Sequence, residues 1–204
     1  MNKVVLVTGG AKRIGKSICK KFHENGFSII CHYNSSDEEA ENLKKELNSV
    51  RANSIETIKF DLNDYKNYNS FCDSILKKYG KLDVLINNAS SFFSTPVNED
   101  NLSDWDDLIN SNVKGPLIIV KYFADYLKKN LGTVINLSDA MIIRGMKDYS
   151  IYSIAKGGLE TLISNIPLGR IGKEEDISSA VFYLSQNEYI TGQILRVDGG
   201  RSLN

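Results

Sequence analysis

The sequence predicts an α/β fold in which helices cover both faces of a parallel sheet. Short apolar runs alternate along the chain with amphipathic segments of helical length, and a glycine-containing turn directly follows the first apolar run. Strands separated by helices of this length form βαβ units, in which the two strands run parallel. Their crossover connections are right-handed. The 204 residues show no internal repeat and no linker, so we expect one domain over residues 1–204.

Each predicted strand is a short apolar run, and each predicted helix repeats apolar residues every three or four positions. Strands are predicted over residues 4–7, 29–31, 55–60, 84–86, 134–137 and 194–197. Helices are predicted over residues 13–25, 36–50, 65–79, 102–129, 152–164 and 174–184. Ile14, Ile18 and Phe22 form one face of the first helix. Ser36 and Glu39 have the spacing of a capping box that opens the second helix.

The fourth predicted helix is much longer than the others. Its apolar residues at helical spacing are Trp105, Ile109, Val113, Leu117, Val120 and Ala124. Gly115 and Pro116 predict a kink within this helix, because proline lacks the N–H group that a helix interior requires.

The composition argues against several classes of function. Twenty-five basic residues balance 25 acidic ones, so neither a nucleic acid nor an anionic membrane surface is an expected partner. The three cysteines form no C-x-x-C pair, and neither a secretory signal nor an apolar run of membrane length is seen. We therefore expect a reduced, cytoplasmic protein. Two histidines are too few to suggest a histidine-based zinc site.

A candidate phosphate-binding turn spans residues 8–15 and reads Thr-Gly-Gly-Ala-Lys-Arg-Ile-Gly. Gly9 permits a tight turn, and Gly15 permits close packing of the first helix on the sheet. The unpaired amides at the start of that helix then face a pyrophosphate. Taken alone, the turn could also be an ordinary strand–helix loop.

Three motifs together resemble those of the short-chain dehydrogenase/reductase family. They are Thr8-Gly9-x-x-x-Arg13-x-Gly15, Asn87-Asn88-Ala89-Ser90 and Tyr152-x-x-x-Lys156. The resemblance implies a Rossmann-type, doubly wound sheet and a nicotinamide cofactor. Arg13 stands where that family usually has glycine. This variant resembles the pteridine reductase and dihydromonapterin reductase branch, in which the arginine contacts the 2′-phosphate of NADPH.

The end of the second predicted strand favours NADPH over NADH. An NAD enzyme holds the ribose hydroxyls with an acidic residue at this place, whereas here Asn34 and Ser35 precede the first acid, Asp37. The branch's second basic residue near Ser35 is absent, which weakens the expected selectivity. Asp61 would accept a hydrogen bond from the adenine amino group or, alternatively, cap the next helix. The resemblance implies cofactor contacts by Gly9, Arg13, Ile14, His32, Asn34, Ser35, Asp61, Leu62, Asn88, Ala89, Ser90, Tyr152 and Lys156.

Tyr152 and Lys156 are the candidate catalytic pair. They are four residues apart and therefore share one helix face. A neighbouring ammonium lowers the pKa of a phenol from about 10 toward neutrality, which suits acid–base work. An exposed surface pair is the alternative. Asn112 resembles the family's water-holding asparagine, which connects the lysine to a proton relay, although it could equally be a hydrogen-bonding residue of a kinked helix.

Asp139 is the residue that most favours a pterin substrate. It lies 13 residues before Tyr152, where most of the family has serine and pteridine reductases have aspartate. Arg144 further resembles the dihydromonapterin reductase type. Phe92 matches an aromatic that stacks on a pterin, or else is a core or lid residue. Ser90 would contact cofactor or pterin, or else serve the turn alone.

The resemblance breaks at one junction. Between residues 165 and 166 the chain passes directly to a segment that in the family follows a sixth strand and a substrate loop. Some tens of residues are therefore missing, and three explanations stay open: a mobile loop that the printed sequence omits, a shortened gene, or a degenerate homologue. The same gap puts the family's usual tetramer in doubt, although some homo-oligomer is still possible.

The sequence thus predicts an NADPH-dependent reductase that transfers hydride to a C=N bond of a dihydropterin such as dihydromonapterin, dihydrobiopterin or dihydrofolate. One alternative is a generic NADPH-dependent carbonyl reductase of the same family. The other is a degenerate NADP-binding homologue without turnover.

Overall fold

A computed structural model describes residues 2–98, 103–139 and 146–164. Within these residues, five strands form one parallel sheet in the order β3-β2-β1-β4-β5. The strands are β1 (Val4–Val7), β2 (Ser28–Tyr33), β3 (Ile55–Lys59), β4 (Val84–Asn87) and β5 (Thr133–Asn136). This order is that of a Rossmann sheet, with the chain reversing direction across the sheet between β3 and β4. The predicted fold class is confirmed.

Helices connect the strands. They are α1 (Arg13–Glu24), α2 (Asp37–Val50), α3 (Tyr68–Tyr79), α4 (Ser103–Ile109), a π-helix (Asn110–Lys114), α5 (Gly115–Lys129) and α6 (Ser150–Ser164). The compact unit that carries the sheet comprises Met1–Leu159. No helix in the described ranges is both long enough and apolar enough to cross a bilayer.

The two faces of the sheet carry separate cores because successive side chains of a strand point to opposite faces. One core joins Leu6 and Leu85 to Phe123 of α5. The other joins Val5 to Cys19 of α1, and Leu43 of α2 packs into the same cluster. The central strand β1 is covered on both faces and is an unbroken apolar run. The edge strands β3 and β5 are less buried and include polar residues.

The long fourth helix of the prediction is wrong in one respect, since the π-helix interrupts it. Pro116 has no N–H group to donate to the carbonyl of Asn112, four residues earlier, so the regular ladder cannot continue there. The Gly115 amide instead donates to the carbonyl of Asn110, five residues back. The kink expected from Gly115 and Pro116 is therefore present as a π-turn.

The predicted buried face of this helical stretch is wrong by one position. Trp105 and Leu117 were expected on the apolar stripe, yet they are 41% and 42% exposed. Leu108, Ile119 and Phe123 are fully buried, each one position before a residue of that stripe, and Val120 is buried as expected. Because both members of these neighbouring pairs are apolar, helical spacing alone cannot choose between the two adjacent faces.

Smaller corrections concern the helix ends. Ser36 precedes α2, but its side chain makes no capping hydrogen bond, and Glu39 pairs with Lys12 at 2.8 Å instead. Ile14, expected on the buried face of the first helix, is 63% exposed. The predicted helix over residues 174–184 and the predicted strand over residues 194–197 lie outside the described residues.

Candidate active site

A cleft of about 250 Å³ lies at the carboxyl ends of the strands, where parallel α/β sheets bind their ligands. Eight of the predicted cofactor residues line it: Gly9, His32, Asn34, Ser35, Asp61, Leu62, Ala89 and Ser90. Arg13 and Ile14 are exposed at the start of α1 and are not among its lining residues. The structure thus brings together residues that are up to 81 positions apart in the sequence.

The glycine turn that follows β1 has no room for side chains. Gly9 has a φ of +62°, and a Cβ added there would lie 2.9 Å from the Cα of Ala89. A Cβ on Gly15 would lie 2.1 Å from the carbonyl oxygen of Gly9. Arg13, in contrast, has a φ of +45° despite carrying a side chain. This left-handed conformation strains a non-glycine residue and is typical of functional sites.

A network of hydrogen bonds joins this turn to the loop after β4. The hydroxyl of Thr8 accepts hydrogen bonds from the amides of Asn88 and Ala89, both at 3.0 Å. The side-chain amide of Asn88 donates to the carbonyls of Thr8 and Gly9 at 2.9 and 3.0 Å. Asn88, predicted to contact the cofactor, therefore holds the two loops together.

His32 supports the glycine turn from beneath. Its Nδ1 accepts a hydrogen bond from the Gly9 amide at 3.2 Å, and its Nε2 donates to the Phe60 carbonyl at 3.0 Å. Burial lowers the pKa of His32 to about 4. The ring is therefore neutral at physiological pH, as its role of acceptor toward Gly9 requires.

Tyr152 and Lys156 lie on α6 and are both buried. The Tyr152 hydroxyl donates to Oδ2 of Asp139 at 3.0 Å. The Lys156 ammonium donates to the carbonyl of Leu137 at 3.1 Å, and its Nζ is 5.8 Å from the centre of the Tyr152 ring. The three residues predicted to act together, Tyr152, Lys156 and Asp139, are thus neighbours in space.

The charge balance at the phenol differs from the one expected. Burial, followed by the hydrogen bond and charge of Asp139, raises the pKa of Tyr152 to about 12. Burial lowers the pKa of Lys156 to about 8, against the opposing charge of Asp139. The expectation that Lys156 would lower the pKa of Tyr152 is wrong for this arrangement, because a carboxylate, rather than the ammonium, contacts the phenol oxygen.

Asn112 is fully buried within the π-helix. Its side-chain amide donates to the carbonyls of Ser91 and Leu108, both at 3.0 Å. Its Oδ1 accepts a hydrogen bond from the Ser90 hydroxyl at 2.7 Å. Asn112 therefore fixes the loop that carries Ser90, and its predicted water-holding role stays a prediction.

Phe92 provides a flat surface beside the phenol. It is 52% exposed, and its ring stacks on Tyr149 with centroids 4.7 Å apart and planes 10° apart. The ring of Tyr152 meets Phe92 edge-on at 4.8 Å. Arg144, the remaining predicted substrate residue, lies outside the described residues.

Sequence reasoning missed several residues of this region. Lys12, Ser36, Asn63, Ser91, Asp107 and Ser111 also line the cleft. Ser111 accepts from the Ser91 amide at 3.2 Å and donates to the Asp107 carbonyl at 2.7 Å. The burial of Ser111 could not be read from the sequence, because it lies off the predicted apolar stripe, yet in the structure it is a buried polar residue beside the fully buried Asn112.

Comparison with known proteins identifies the class to which this fold and site belong. The family model for short chain dehydrogenases matches residues 3–169 of the chain. The chain therefore belongs to the short-chain dehydrogenase family and is an oxidoreductase of that family.

Among individual relatives, the chain is 29% identical to pteridine reductase 1 of Leishmania tarentolae over 278 residues, covering 98% of the chain and 96% of the relative. It is 27% identical to 3-oxoacyl-(acyl-carrier-protein) reductase FabG of Thermotoga maritima over 240 residues, covering 97% of each. It is 28% identical to the reductase of that name in Staphylococcus aureus strain Mu50, covering 98% of each. These relatives agree on a reductase but differ in substrate.

The lengths of these alignments bear on the missing segment. They span 240 residues or more, whereas the chain has 204, so each relative has some tens of residues that face gaps. The position of those gaps between residues 165 and 166 stays a prediction.

Proposed function

We propose that the protein is an NADPH-dependent reductase that transfers hydride to a C=N bond of a dihydropterin. The observation that carries this proposal is the 3.0 Å hydrogen bond between Tyr152 and Asp139. It places a carboxylate and a phenol side by side at the edge of the exposed Phe92 ring. A ketone needs only a donor to its oxygen, whereas a pterin also presents N–H and amino groups that require an acceptor.

The site suits a flat, hydrogen-bonding substrate. Phe92 offers an aromatic face for stacking, which stabilises planar ligands. Asp139 can accept hydrogen bonds from a ring N–H and an exocyclic amino group at the same time. Ser90, whose hydroxyl lies 2.7 Å from Oδ1 of Asn112, lines the cleft and is held in place for a third polar contact.

The cleft also fits the adenosine half of a dinucleotide. Gly9 keeps the backbone of the turn close to Ala89, because a Cβ there would collide with the Ala89 Cα. Asn63 lines the cleft, and its Oδ1 is buried without a hydrogen-bond partner among the described residues, so a ligand N–H would satisfy it. Asp61 supplies a second acceptor nearby, as adenine recognition requires. A reduced nicotinamide held in this cleft would supply the hydride.

The 2′-phosphate of NADPH fits the end of β2. Asn34 and Ser35 line the cleft there with neutral donors. Asp37, the first acid after the strand, contacts Lys59 at 2.9 Å through both of its oxygens. A phosphate would therefore meet hydroxyl and amide groups, and the exposed Arg13 is the proposed charged donor because of its place in the family's motif.

Tyr152 is the proposed proton donor. With its pKa raised to about 12, the phenol keeps its proton at neutral pH and can give it to the substrate nitrogen. To donate, the phenol exchanges its hydrogen bond to Asp139 for one to the substrate nitrogen, and Asp139 then accepts from the N–H groups of the pterin. Lys156 is charged below its pKa of about 8 and can stabilise negative charge that develops on the phenol oxygen.

A second candidate is a carbonyl reductase acting on 3-oxoacyl thioesters or small ketones. It is favoured by the names of the Thermotoga and Staphylococcus relatives. Asp139 argues against it, because a carboxylate would repel a developing oxyanion that serine would stabilise.

NADPH oxidation by the purified protein, followed at 340 nm, distinguishes the candidates. We expect turnover with dihydrobiopterin or dihydromonapterin that exceeds turnover with acetoacetyl thioester at least tenfold. Asp139→Asn, a matched variant of equal size, should lose most pterin activity, and Tyr152→Phe should lose turnover while still binding NADPH. Activity on the thioester alone would support the second candidate, and tight NADPH binding without turnover on either substrate would support a degenerate homologue.

We further propose that residues 1–204 form one reductase domain that lacks the segment expected between residues 165 and 166. The intact mass of the purified protein tests this, since an additional loop of some tens of residues would raise it by several kilodaltons above 22.8 kDa.

A further inference from the structure

Thr95 joins the loop that carries Phe92 to the start of helix α6. Its amide donates to the Asp148 carbonyl at 2.6 Å, and its carbonyl accepts from the Ser150 hydroxyl at 2.7 Å. A parallel β-bridge pairs Thr95 with Tyr149. Thr95 is 5% exposed, although it lies in a loop outside every helix and strand.

The side chain of Thr95 acts as a cap for α6 from a distant part of the chain. The first four amides of a helix have no partner inside the helix, and caps usually come from the residue just before it. Here the amide of Ile151 donates to Oγ1 of Thr95 at 3.2 Å, across 56 residues of sequence. The next residue along α6 is Tyr152.

The same residue therefore fixes both sides of the proposed substrate site. Phe92 lies three residues before Thr95, and its ring contacts both Tyr149 and Tyr152. Asp148, to which the Thr95 amide donates, has a φ of +63°, a conformation that the surrounding bonds must hold in place. If the bonds of Thr95 are lost, the aromatic surface and the phenol are free to shift relative to each other.

We propose that Thr95 is a positioning residue for the reductase reaction, which sets the place of the Tyr152 hydroxyl relative to the substrate surface of Phe92 through its bonds to residues 148–151. This inference rests on the proposed function for its kinetic part. Thr95 touches neither the cleft nor the proposed reacting atoms, so its effect is on kcat rather than on cofactor binding. A displacement of a catalytic group by about 1 Å can cost about 100-fold in rate.

The matched variants are Thr95→Val, which keeps the shape and removes the hydroxyl, and Thr95→Ser, which keeps the hydroxyl. Hydrogen exchange of the peptide that contains residues 150–153 should accelerate about tenfold in Thr95→Val and stay near wild type in Thr95→Ser. In Thr95→Val, kcat should fall about tenfold, while the affinity for NADPH should stay within twofold of wild type. In Thr95→Ser, which keeps the hydroxyl, kcat should stay near the wild-type value.

Three results would overturn the proposal: unchanged exchange and kcat in Thr95→Val, a loss of NADPH affinity as large as the loss of kcat, or failure of Thr95→Ser to restore the rate. Hydrogen exchange and NADPH titration need no turnover, so they test Thr95 even if wild type reduces no dihydropterin, and kcat is then read with the substrate that wild type does reduce. If Thr95→Val did not fold, Ser150→Ala removes a different bond between the same segments, from the Ser150 hydroxyl to the Thr95 carbonyl, and should give a smaller effect of the same kind.

Discussion

Replacing Arg13 by glycine tests two properties of this residue: the conformational strain of its backbone, measured as stability, and its proposed contact with NADPH, measured as affinity. A left-handed conformation costs a non-glycine residue about 1–2 kcal/mol, and Arg13 has a φ of +45°. Glycine removes that cost but adds about 0.4–1 kcal/mol of unfolded-state entropy. The midpoint of these ranges predicts that Arg13→Gly is stabilised by about 0.8 kcal/mol, which raises Tm by about 2–3 °C in a chain of this size.

Although Arg13→Gly should gain stability, its affinity for NADPH should fall. A hydrogen bond to a charged group contributes about 1.5–3 kcal/mol, so loss of the guanidinium should weaken NADPH binding by about 10- to 150-fold. NADH, which has no 2′-phosphate, should bind with unchanged affinity. Tm is measured by calorimetry of the unliganded protein, and both affinities are measured by titration of nicotinamide fluorescence.

Arg13→Ala is the matched control, because it removes the guanidinium while keeping a side chain in the strained conformation. It should lose NADPH affinity to the same extent without gaining stability. If Arg13→Gly lowered Tm, the strain at this position would not be real. If NADPH and NADH lost affinity equally, Arg13 would not contact the 2′-phosphate.

Two further predictions concern stability. Burial lowers the folded-state pKa of His32 to about 4. Below pH 6.5 the unfolded chain therefore takes up a proton that the folded chain does not. The stability that the neutral His32 contributes is present above pH 6.5 and is lost as the pH falls from about 6.5 to 4. Urea unfolding should show a loss of about 2 kcal/mol from pH 7 to pH 5 that His32→Gln lacks, and equal pH dependence in both proteins would refute this. Gly115→Ala should destabilise by about 1–3 kcal/mol, since its Cβ would lie 2.7 Å from the Tyr68 hydroxyl. The control Gly157→Ala, whose Cβ meets no described atom within 4 Å, should stabilise by up to about 1 kcal/mol, and similar effects in the two variants would contradict the packing argument.

The sheet and most helices could be predicted because their signals are local. An apolar run of four residues such as Val4–Val7 or a glycine at the end of a helix such as Gly80 reports on its own neighbourhood. The candidate site could be found from three short motifs for the same reason, and the structure brings Tyr152, Lys156 and Asp139 together as expected.

The features that the sequence did not reveal depend on contacts between distant segments or on backbone geometry. The π-helix forms because Pro116 has no N–H group to donate and the amide of Gly115 donates to the carbonyl of Asn110. The raised pKa of Tyr152 depends on burial and on the side-chain direction of Asp139. The cap that Thr95 provides joins residues 56 positions apart. None of these has a periodic signature that a reading along the chain could detect.

The π-helix has a consequence for how the gene can tolerate length changes. Its five residues include one more than a regular turn would need, and that surplus allows Asn112 to face the loop of Ser90 while α5 keeps its apolar side on the sheet. Removal of a single codon within residues 110–114 would take away that extra residue, so Ser111 and Asn112 could no longer bind the loop of Ser90 and Ser91 while α5 keeps its place. An in-frame deletion of one residue here should therefore be far more damaging than the same deletion in an exposed loop.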